Sequence, residues 1–230
     1  MKTIKVVSFA VIAFGLFACK NAPDAVKAEA TEAKDAASSS GAVYKVDTTA
    51  SKIEWIGTKV SGYHTGTIGV GTGELSVKDN QLTAGNFILN IAKLEVTGPP
   101  GSDTAANRKL LGHLKSKDFF DVTAFPDAKF VITEVKPFSG TVKDSTDPRQ
   151  ESISRYKVAD PTHTIAGNLT IKGVTKNIEF PAKVTINGNN IDALAKFNID
   201  RTEWNIVYPG KPDDLIRNDI HLGIEIKASK

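Results

Sequence analysis

Apolar and polar side chains alternate with a period of two along most of the chain from Tyr44 onward. The clearest run lies near the C-terminus, where Ile220, Leu222, Ile224 and Ile226 alternate with polar residues or glycine. Because successive side chains of a strand point to opposite faces, such a run predicts a strand with one buried face. Similar alternation occurs around residues 53–60, 67–77, 87–91, 130–136, 164–171, 176–186 and 193–199.

Short turn sequences separate several of these predicted strands. Asp79-Asn80 and Asn187-Gly188 are residue pairs that favour tight hairpin turns. About eight strands joined by sequential hairpins predict an all-β domain, arranged as a closed antiparallel barrel or as a sandwich. The sequence shows no internal repeat and no second globular domain.

One stretch breaks the period of two. Residues 102–116 carry leucines at helical spacing, and Ser102 or Asp103 can cap the N-terminus of a helix there. These leucines are Leu110, Leu111 and Leu114. Because the segment continues into Phe119-Phe120, we expect a short helix that lies against the mouth of the barrel.

The N-terminus has the features of an export signal. Lys2 and Lys5 precede an apolar run of thirteen residues, Val6–Ala18. Such a run is too short to cross a hydrocarbon core as a helix, which takes about 20 residues. It ends in LFAC at residues 16–19, which resembles the lipobox of bacterial lipoproteins. The resemblance implies that residues 1–18 are removed and that Cys19 is lipidated; the alternative is an ordinary signal peptide with a chance cysteine.

Residues 19–42 are expected to form a flexible tether behind this lipid anchor, with the barrel domain spanning residues 43–230. Residues 20–42 contain Val26 and no larger apolar side chain, so they bury too little surface to offset the loss of chain entropy. Lys20 stands where an aspartate would retain an enterobacterial lipoprotein at the inner membrane. We therefore expect a lipid-anchored protein of the bacterial cell envelope, on the outer membrane and facing the periplasm.

The formal net charge of +3 over 230 residues adds little to this picture. Residues 1–18 hold two lysines, residues 20–42 hold three lysines and four acids, and the remaining chain holds 24 basic and 22 acidic side chains. A domain with such balanced charge lacks the basic surface typical of DNA or RNA binding. A single cysteine allows no internal disulfide and no Cys-rich zinc site, so we predict neither a nucleic-acid partner nor thiol redox chemistry.

The sequence lacks the motifs of common enzymes. It has no Gly-x-Ser-x-Gly elbow, and the glycines at positions 66, 69, 71 and 73 form neither a dinucleotide fingerprint nor a phosphate-binding loop. The four histidines are scattered without an i, i+4 pair, and Asp213-Asp214 beside Pro212 is typical of a solvated turn. We therefore predict a protein that is not an enzyme, with no metal and no cofactor other than a bound lipid ligand.

The apolar face of the predicted strands is the remaining candidate for function. An eight-stranded barrel is wide enough to be filled by its own side chains or to hold one small ligand. Ordinary core packing uses the same residue types as a lipid cavity, and periodicity alone does not separate the two roles. Small residues at Gly69, Gly71, Ala193 and Ala195 favour an interior with room. The candidate cavity residues are Trp55, Phe87, Leu89, Leu114, Phe119, Phe120, Phe130, Ile132, Leu169, Phe180, Ala195, Phe197, Trp204 and Ile224.

Three ordered motifs resemble those of the YceI-like family. The first is GHLKSKDFFD at residues 112–121, followed by FPDAKF at residues 125–130. The second is LTIKGVT at residues 169–175, and the third is NIDRTEW at residues 198–204. The opening segment agrees as well, with VD at residues 46–47 and SKIEW at residues 51–55. The resemblance covers residues 43–228, which is nearly all of the predicted barrel domain.

This resemblance implies an elongated, lipocalin-like antiparallel β-barrel that binds a long apolar lipid, such as a polyisoprenoid, a polyprenyl quinone or a fatty-acid derivative. Exported members of the family are periplasmic. This chain departs from many members in having Leu110-Leu111 in place of an Arg-Asp pair, so the family does not imply its headgroup preference. It also has a long polar insert after Phe138, which predicts an excursion over the surface.

The function we expect is storage or transport of such a lipid inside the barrel, at the cell envelope. The alternative is a barrel with a packed interior that serves envelope stress or structure through protein partners. A homodimer is an assembly that the sequence leaves open.

Overall fold

The structure is a computed structural model that describes residues 22–142 and 153–230. The predicted signal peptide and Cys19 lie outside the described residues. The helices are α1 (Thr104–Lys115), α2 (Ile153–Tyr156) and a 3-10 helix (Arg201–Trp204). The strands are β1 (Ala42–Val46), β2 (Lys52–Lys59), β3 (Gly62–Lys78), β4 (Gln81–Gly98), β5 (Asp127–Pro137), β6 (His163–Ile171), β7 (Val174–Asn187), β8 (Asn190–Asp200), β9 (Gly210–Lys211) and β10 (Asp214–Ser229).

Eight antiparallel strands form a closed barrel. Strands β2 to β8 pair in sequential order, and β10 pairs with both β2 and β8, which closes the sheet on itself. β1 and β2 lie one after the other between β10 and β3, and each pairs with both of these strands. Lys45 of β1 lies opposite Ser229 of β10, and Lys52 of β2 lies opposite Glu225 of the same strand. The predicted all-β antiparallel barrel of about eight strands is confirmed.

Both predicted hairpin turns are present in the barrel. β3 and β4 meet at Asp79 and Asn80, whose φ angles of 52° and 59° are left-handed, as tight hairpins require. β7 and β8 meet at Gly188 and Asn189, one residue later than predicted, and Gly188 has a φ of 57°. β3 and β4 contain 17 and 18 residues. At about 3.3 Å per residue, each follows roughly 55–60 Å of strand, which makes the barrel elongated.

The predicted helix is confirmed as α1. Asp103 is its N-cap, and the Asp103 side chain accepts a hydrogen bond from the main-chain N–H of Ala105 at 2.6 Å. The helix ends at Ser116, whose hydroxyl donates to the carbonyl oxygen of His113 at 2.7 Å. Leu114 is the buried residue of its inner face, so the helix covers one end of the barrel through a narrow apolar contact.

The wall of the barrel has a gap between β7 and β8. Their ladder runs only from the Ala182–Ala195 pair to the Asn187–Asn190 pair. Pro181 comes next in this register, and a proline has no N–H to donate to a neighbouring strand. The main-chain groups of β7 and β8 beyond this point therefore face a gap, which we call the seam.

Residues 22–41, which we call the strap, fill the seam and then cross the outside of the barrel. Asn198 in β8 donates its N–H to Val26 and accepts from Ala28, both at 2.8 Å. Thr31 and Asn177 in β7 exchange both of their main-chain hydrogen bonds, at 2.8 and 2.9 Å. The strap therefore supplies the hydrogen bonds that β7 and β8 do not make with each other at these positions.

The strap differs from the flexible tether that the sequence predicts for residues 19–42. The composition of residues 20–42 reflects only the apolar surface that the segment itself could bury. In the folded protein, the seam offers unpaired main-chain groups, and pairing these groups requires no large side chain. Small residues such as Ala28, which is 2% exposed, lie closely against the core. The boundary at residue 43 thus marks a change in composition, while the structured part of the chain begins earlier.

The insert after Phe138 also packs on the barrel where the structure describes it. The ring of Tyr156 in α2 makes an edge-on contact with the His221 ring at 5.4 Å between centroids. Val158 is completely buried. Residues 156–158 therefore form part of the outer cover of the barrel, beside the start of the strap.

Candidate functional site

A cavity of about 750 Å³ lies inside the barrel. Inward-facing side chains of the barrel strands form its wall, and α1 and the segment after the 3-10 helix line one end. Leu89, Phe130, Leu222 and Ile224 line the cavity and pack against the main apolar cluster, yet each remains partly exposed. These residues are exposed to the interior, so the barrel is hollow.

The structure places all fourteen predicted cavity residues on this wall, and their contact with a ligand remains a prediction. Ala193 lines the cavity as well. Gly69 and Gly71 do not, because bulges in β3 shift its register against β4 around them. The fourteen are Trp55, Phe87, Leu89, Leu114, Phe119, Phe120, Phe130, Ile132, Leu169, Phe180, Ala195, Phe197, Trp204 and Ile224.

Four phenylalanines form a continuous row along one side of the cavity. The ring centroids are 6.3 Å apart for Phe87 and Phe130, and 5.8 Å apart for Phe130 and Phe180. Phe180 and Phe197 stack almost in parallel, at 4.2 Å with an interplanar angle of 12°. This last pair joins β7 to β8 beside the seam, so aromatic rings close the wall on the inside where the strap closes it on the outside.

A second apolar cluster closes the end of the barrel that α1 covers, which we call the mouth. The His113 ring of α1 makes edge-on contacts with Phe119 at 5.0 Å and with Tyr208 at 4.7 Å. The position of α1 at the mouth agrees with the sequence prediction. The buried members of the cluster are Trp55, Leu94, Leu114, Phe119 and Ile206.

The charged residues of the cavity wall all lie at the mouth, and none of them is among the predicted site residues. The strand pattern contained a signal for one of them: Lys59 shares the inward face of β2 with Ile53 and Trp55. The others come from a helix, a turn and short segments whose positions no periodicity predicts. The wall contains the charged residues Lys59, Lys109, Arg201, Lys211 and Asp214, together with His64 and His113.

Asp214 is held by a dense set of donors at the mouth. Lys59 Nζ donates to Asp214 Oδ2 at 2.5 Å, and the N–H and hydroxyl of Ser61 both donate to the same carboxylate at 2.9 Å. The hydrogen bond from Lys59, with that from the Ser61 N–H, lowers the pKa of Asp214 to about 2. The sequence interpretation of Asp213-Asp214 as a solvated turn is wrong for Asp214, because β10 begins there and brings its carboxylate to Lys59.

Arg201 is a buried cation at the mouth. Arg201 is 5% exposed and follows directly after β8, at the start of the 3-10 helix. Nε donates to the carbonyl oxygen of Arg217 at 3.2 Å, and Nη1 donates to the carbonyl oxygen of Ile206. Burial lowers the pKa of the guanidinium, and the nearby Asp200 opposes that shift. The two carbonyl contacts fix the side chain without neutralising its charge.

Trp55 and His64 add polar atoms that lack partners. Trp55 Nε1 and His64 Nδ1 are buried and make no hydrogen bond to any residue that the structure describes. The indole lies against Gly66, where a Cβ would stand 2.6 Å from the ring and 1.8 Å from the Glu95 carbonyl oxygen, so this position requires glycine. Burial, with the charge of Lys59, lowers the pKa of His64 and favours its neutral form.

The site thus combines an apolar interior with polar and charged groups at one end. Within residues 22–142 and 153–230, no three His, Cys, Asp or Glu residues lie close enough together to hold a metal ion. No helix in the same ranges combines the length and the apolar character needed to span a bilayer.

The fold and the cavity define a lipocalin-like, ligand-binding β-barrel. Residues 44–228 match the YceI-like domain, so the chain belongs to the YceI-like family. The UPF0312 protein of Pseudomonas fluorescens SBW25 is 32% identical over 118 residues, which cover 48% of this chain and 50% of that protein. The UPF0312 protein PputW619_0484 of Pseudomonas putida W619 is 30% identical over 154 residues, or 60% of this chain and 67% of that protein. This chain thus spans between half and two thirds of the length of these curated relatives.

Two solved structures share the fold. BcnA of Burkholderia cenocepacia superposes with a TM-score of 0.58 at 17% identity, over 80% of this chain and 99% of that chain. A polyisoprenoid-binding domain from Saccharophagus degradans, implicated in plant cell wall breakdown, superposes with a TM-score of 0.55 at 12% identity, over 81% of this chain and 97% of that chain. At these identities the likeness establishes a shared barrel fold.

Proposed function

We propose that the barrel binds a long apolar lipid, such as a polyisoprenoid, a quinone or a fatty-acid derivative, for storage or transport at the cell envelope. The observation that carries the proposal is the 750 Å³ cavity with an apolar wall. This volume lies within the range of about 300–1,000 Å³ that is typical of small-molecule sites. The polyisoprenoid-binding domain from Saccharophagus degradans, which shares this barrel fold, supports the same class of ligand.

Burial of the tail supplies the affinity in this proposal. Each buried methylene gains ~0.8 kcal/mol, so a tail of a dozen carbons gains roughly 10 kcal/mol before the costs of association and ordering. The ligand needs no covalent chemistry, and we propose a binding protein rather than an enzyme. The alternative function, a barrel packed with its own side chains that acts through protein partners, is disfavoured by the hollow interior.

The proposal also covers where the protein works. We propose that Cys19 carries a lipid anchor and that the mature protein lies on the outer membrane, facing the periplasm. Changing Cys19 to Ser should release the protein from the membrane fraction. A variant that stays in that fraction, with its signal peptide cleaved as usual, would contradict the anchor. A homodimer remains a prediction that sedimentation of the mature protein checks.

Extraction of bound lipid tests the function directly. The mature protein is purified from its own host without detergent, extracted with organic solvent and analysed by mass spectrometry. We expect one class of long-chain lipid at a stoichiometry near one per barrel. The Ala195→Phe variant places a ring in the cavity and should yield much less of this lipid, whereas Lys183→Ala on the exposed face of β7 should yield as much as the wild type.

The result that would overturn the proposal combines two observations: no lipid in the wild-type extract and strong destabilisation by Ala195→Phe. Together they would mean that the interior is filled in solution.

A further inference from the structure

We infer that the mouth of the cavity is a headgroup site for an anion, a carboxylate or a phosphate, carried by the lipid whose tail fills the barrel. The inference rests on the proposed lipid-binding function and adds the chemistry of the polar end of the ligand. It follows from three independent features of the mouth: its charge balance, the buried arginine and the polar atoms without partners.

The charge balance at the mouth is positive. Four cationic side chains and one carboxylate contribute to the cavity wall. The carboxylate of Asp214 is already paired with Lys59 at 2.5 Å. Among the residues that the structure describes, no carboxylate lies within ion-pair distance of Lys109, Arg201 or Lys211. A negatively charged group at the mouth would therefore meet an excess of positive charge.

Arg201 carries the argument furthest. A buried cation costs free energy unless a counter-charge compensates it. The groups that Arg201 contacts through Nε and Nη1 are carbonyl oxygens, which orient the guanidinium and leave its charge in place. A guanidinium suits a carboxylate or a phosphate because its planar fork can donate two parallel hydrogen bonds. Asp200 is close enough to act on the guanidinium electrostatically but forms no ion pair with it, so an anionic headgroup would supply the direct counter-charge that the described residues do not.

The cations approach the mouth from different sides. Arg201 is bonded to the Arg217 carbonyl of β10, and Lys59 lies opposite the preceding residue, Ile216, on the other side of the same strand. Both contacts are made to neighbouring residues of β10, so the two side chains approach the mouth from opposite sides of that strand. Lys109 lines the mouth from α1, and Lys211 lines it from β9.

Two further polar atoms match a headgroup oxygen. Trp55 Nε1 is a hydrogen-bond donor only, and it is buried with no acceptor among the described residues. His64 Nδ1, on the neighbouring strand β3, is also buried without a partner among the described residues, and it can donate to an oxygen in the tautomer that carries the proton on Nδ1. Buried donors without acceptors are costly, so an oxygen-rich headgroup would satisfy this end of the cavity.

Matched pairs of probes test the inference on the delipidated mature protein. The first pair is hexadecanoate and its methyl ester, and the second is geranylgeranyl phosphate and geranylgeraniol. Each pair keeps the tail constant and removes the charge. By calorimetric titration we expect at least one anionic probe to bind about tenfold more tightly than its neutral partner, as hydrogen bonds to a charged group imply. The two pairs separate a carboxylate from a phosphate.

Variants assign this preference to the mouth. Arg201→Gln should lower the affinity for the anionic probe much more than the affinity for its neutral partner, so most of the preference is lost; a merely structural role would lower both affinities alike. The double change of Lys109→Ala and Lys211→Ala alters exposed side chains and should lower the preference about two- to threefold, because exposed charges are screened. Lys183→Ala removes one positive charge from the far side of the wall and should change nothing.

Each outcome decides between the inferences. If anionic and neutral probes bind equally well, the headgroup site is wrong and lipid binding stands. If none of the four probes binds and no lipid co-purifies, the proposed function itself is wrong. If Arg201→Gln does not fold, the wild type and the double lysine variant still test the headgroup site. If the double variant keeps the full preference for the anionic probe, and this preference does not depend on salt, the anion binds elsewhere.

Discussion

The inner and outer faces of the barrel wall are buried in opposite ways. His221 and Leu222 are neighbours on β10, yet the polar His221 is 3% exposed while the apolar Leu222 remains partly open to the cavity. Asn177 and Asn198, also on the outer face, are 2% and 6% exposed. The inside of this barrel is apolar and hollow, and the outside under the strap is polar and closed. In this protein, polar residues of the outer face under the strap are therefore as deeply buried as the apolar residues of the core.

The buried polar residues of the outer face are tolerated because each has its partners. Asn177 Nδ2 lies 2.9 Å from Thr133 Oγ1 and 3.0 Å from Asn168 Oδ1. Asn198 Nδ2 donates to the carbonyl oxygen of Pro23 at 2.8 Å, so its Oδ1 is left to accept from His221 Nδ1 at 2.9 Å. This pattern fixes the proton of the neutral imidazole on Nδ1. A satisfied polar network of this kind favours one position of the strap.

The largest effect should follow from removing the strap. Replacing residues 22–41 with a Gly/Ser linker of equal length should release the five main-chain hydrogen bonds from the strap to β5, β7 and β8. The reason is that a flexible linker loses more conformational entropy than the native strap when it is ordered in the seam. At about 1 kcal/mol each, the free energy of unfolding should fall by about 3–5 kcal/mol, and the melting temperature by roughly 10 °C. Chemical and thermal unfolding followed by circular dichroism measure both.

A chain that begins at Ala22 is the matched control, because it keeps the strap and lacks the residues before it. If the linker variant melts within a degree or two of that control, the strap contributes nothing to stability. The domain would then begin at residue 43, as composition alone suggests.

Acid should weaken the outer face through His221. Burial, with the charge of Lys196, lowers the pKa of His221 to about 4, from 6.5. The unfolded chain therefore binds a proton more readily than the folded chain, and stability is lost as the pH falls from 6.5 to 4. The loss attributable to this residue is about 3 kcal/mol. Urea unfolding at pH 7 and pH 4.5 measures it.

Comparison with His221→Gln isolates the contribution of this one residue. Glutamine keeps a donor for Asn198 and does not titrate, so the variant should lose far less stability between the two pH values. His64 and His163, whose pKa values burial also lowers, remain in both proteins and cancel. Glu54 opposes the shift, and Tyr156 covers the ring, in the wild-type protein. Equal pH dependence of the wild type and the variant would contradict the assignment.

The two faces also differ in how far sequence predicts them. Period-two alternation predicts the strands and the inward positions of most of the fourteen residues, because an inward position such as Phe197 or Ile224 depends only on local geometry. Alternation leaves a barrel and a sandwich open, and it was the YceI-like resemblance that favoured the barrel. The strap was missed because its stability comes from unpaired groups on β7 and β8, which Val26 and the alanines around it do not reveal. Pro181 was the available signal, since a proline interrupts strand pairing. Arg201 and Lys211 were missed because turns, rather than periodicity, bring them to the mouth.

Matched alanine substitutions compare the two faces directly. Ala28→Phe places a ring between the strap and the core, where Ala28 is 2% exposed, and overpacking should cost about 1–3 kcal/mol. Ala195→Phe points into the cavity, so the stability of the delipidated protein should change by less than about 1 kcal/mol. Urea unfolding of both delipidated variants measures the difference. Equal costs would mean that the interior is as closely packed as the outer face.

The smallest effect should come from the ion pairs along the strap. Lys176 Nζ lies 2.9 Å from Glu32, and Lys27 Nζ lies 3.4 Å from Asp219, but each pair has at least one well-exposed partner. Because water and salt screen such pairs, Lys176→Ala should lower the free energy of unfolding by less than the loss of one main-chain hydrogen bond would, and the difference should vanish in about 1 M NaCl. Urea unfolding at low and high salt measures this. In our interpretation, main-chain and amide hydrogen bonds hold the strap on the barrel. If Lys176→Ala lowers the free energy of unfolding several times more than the loss of one such bond would, ion pairs hold the strap instead.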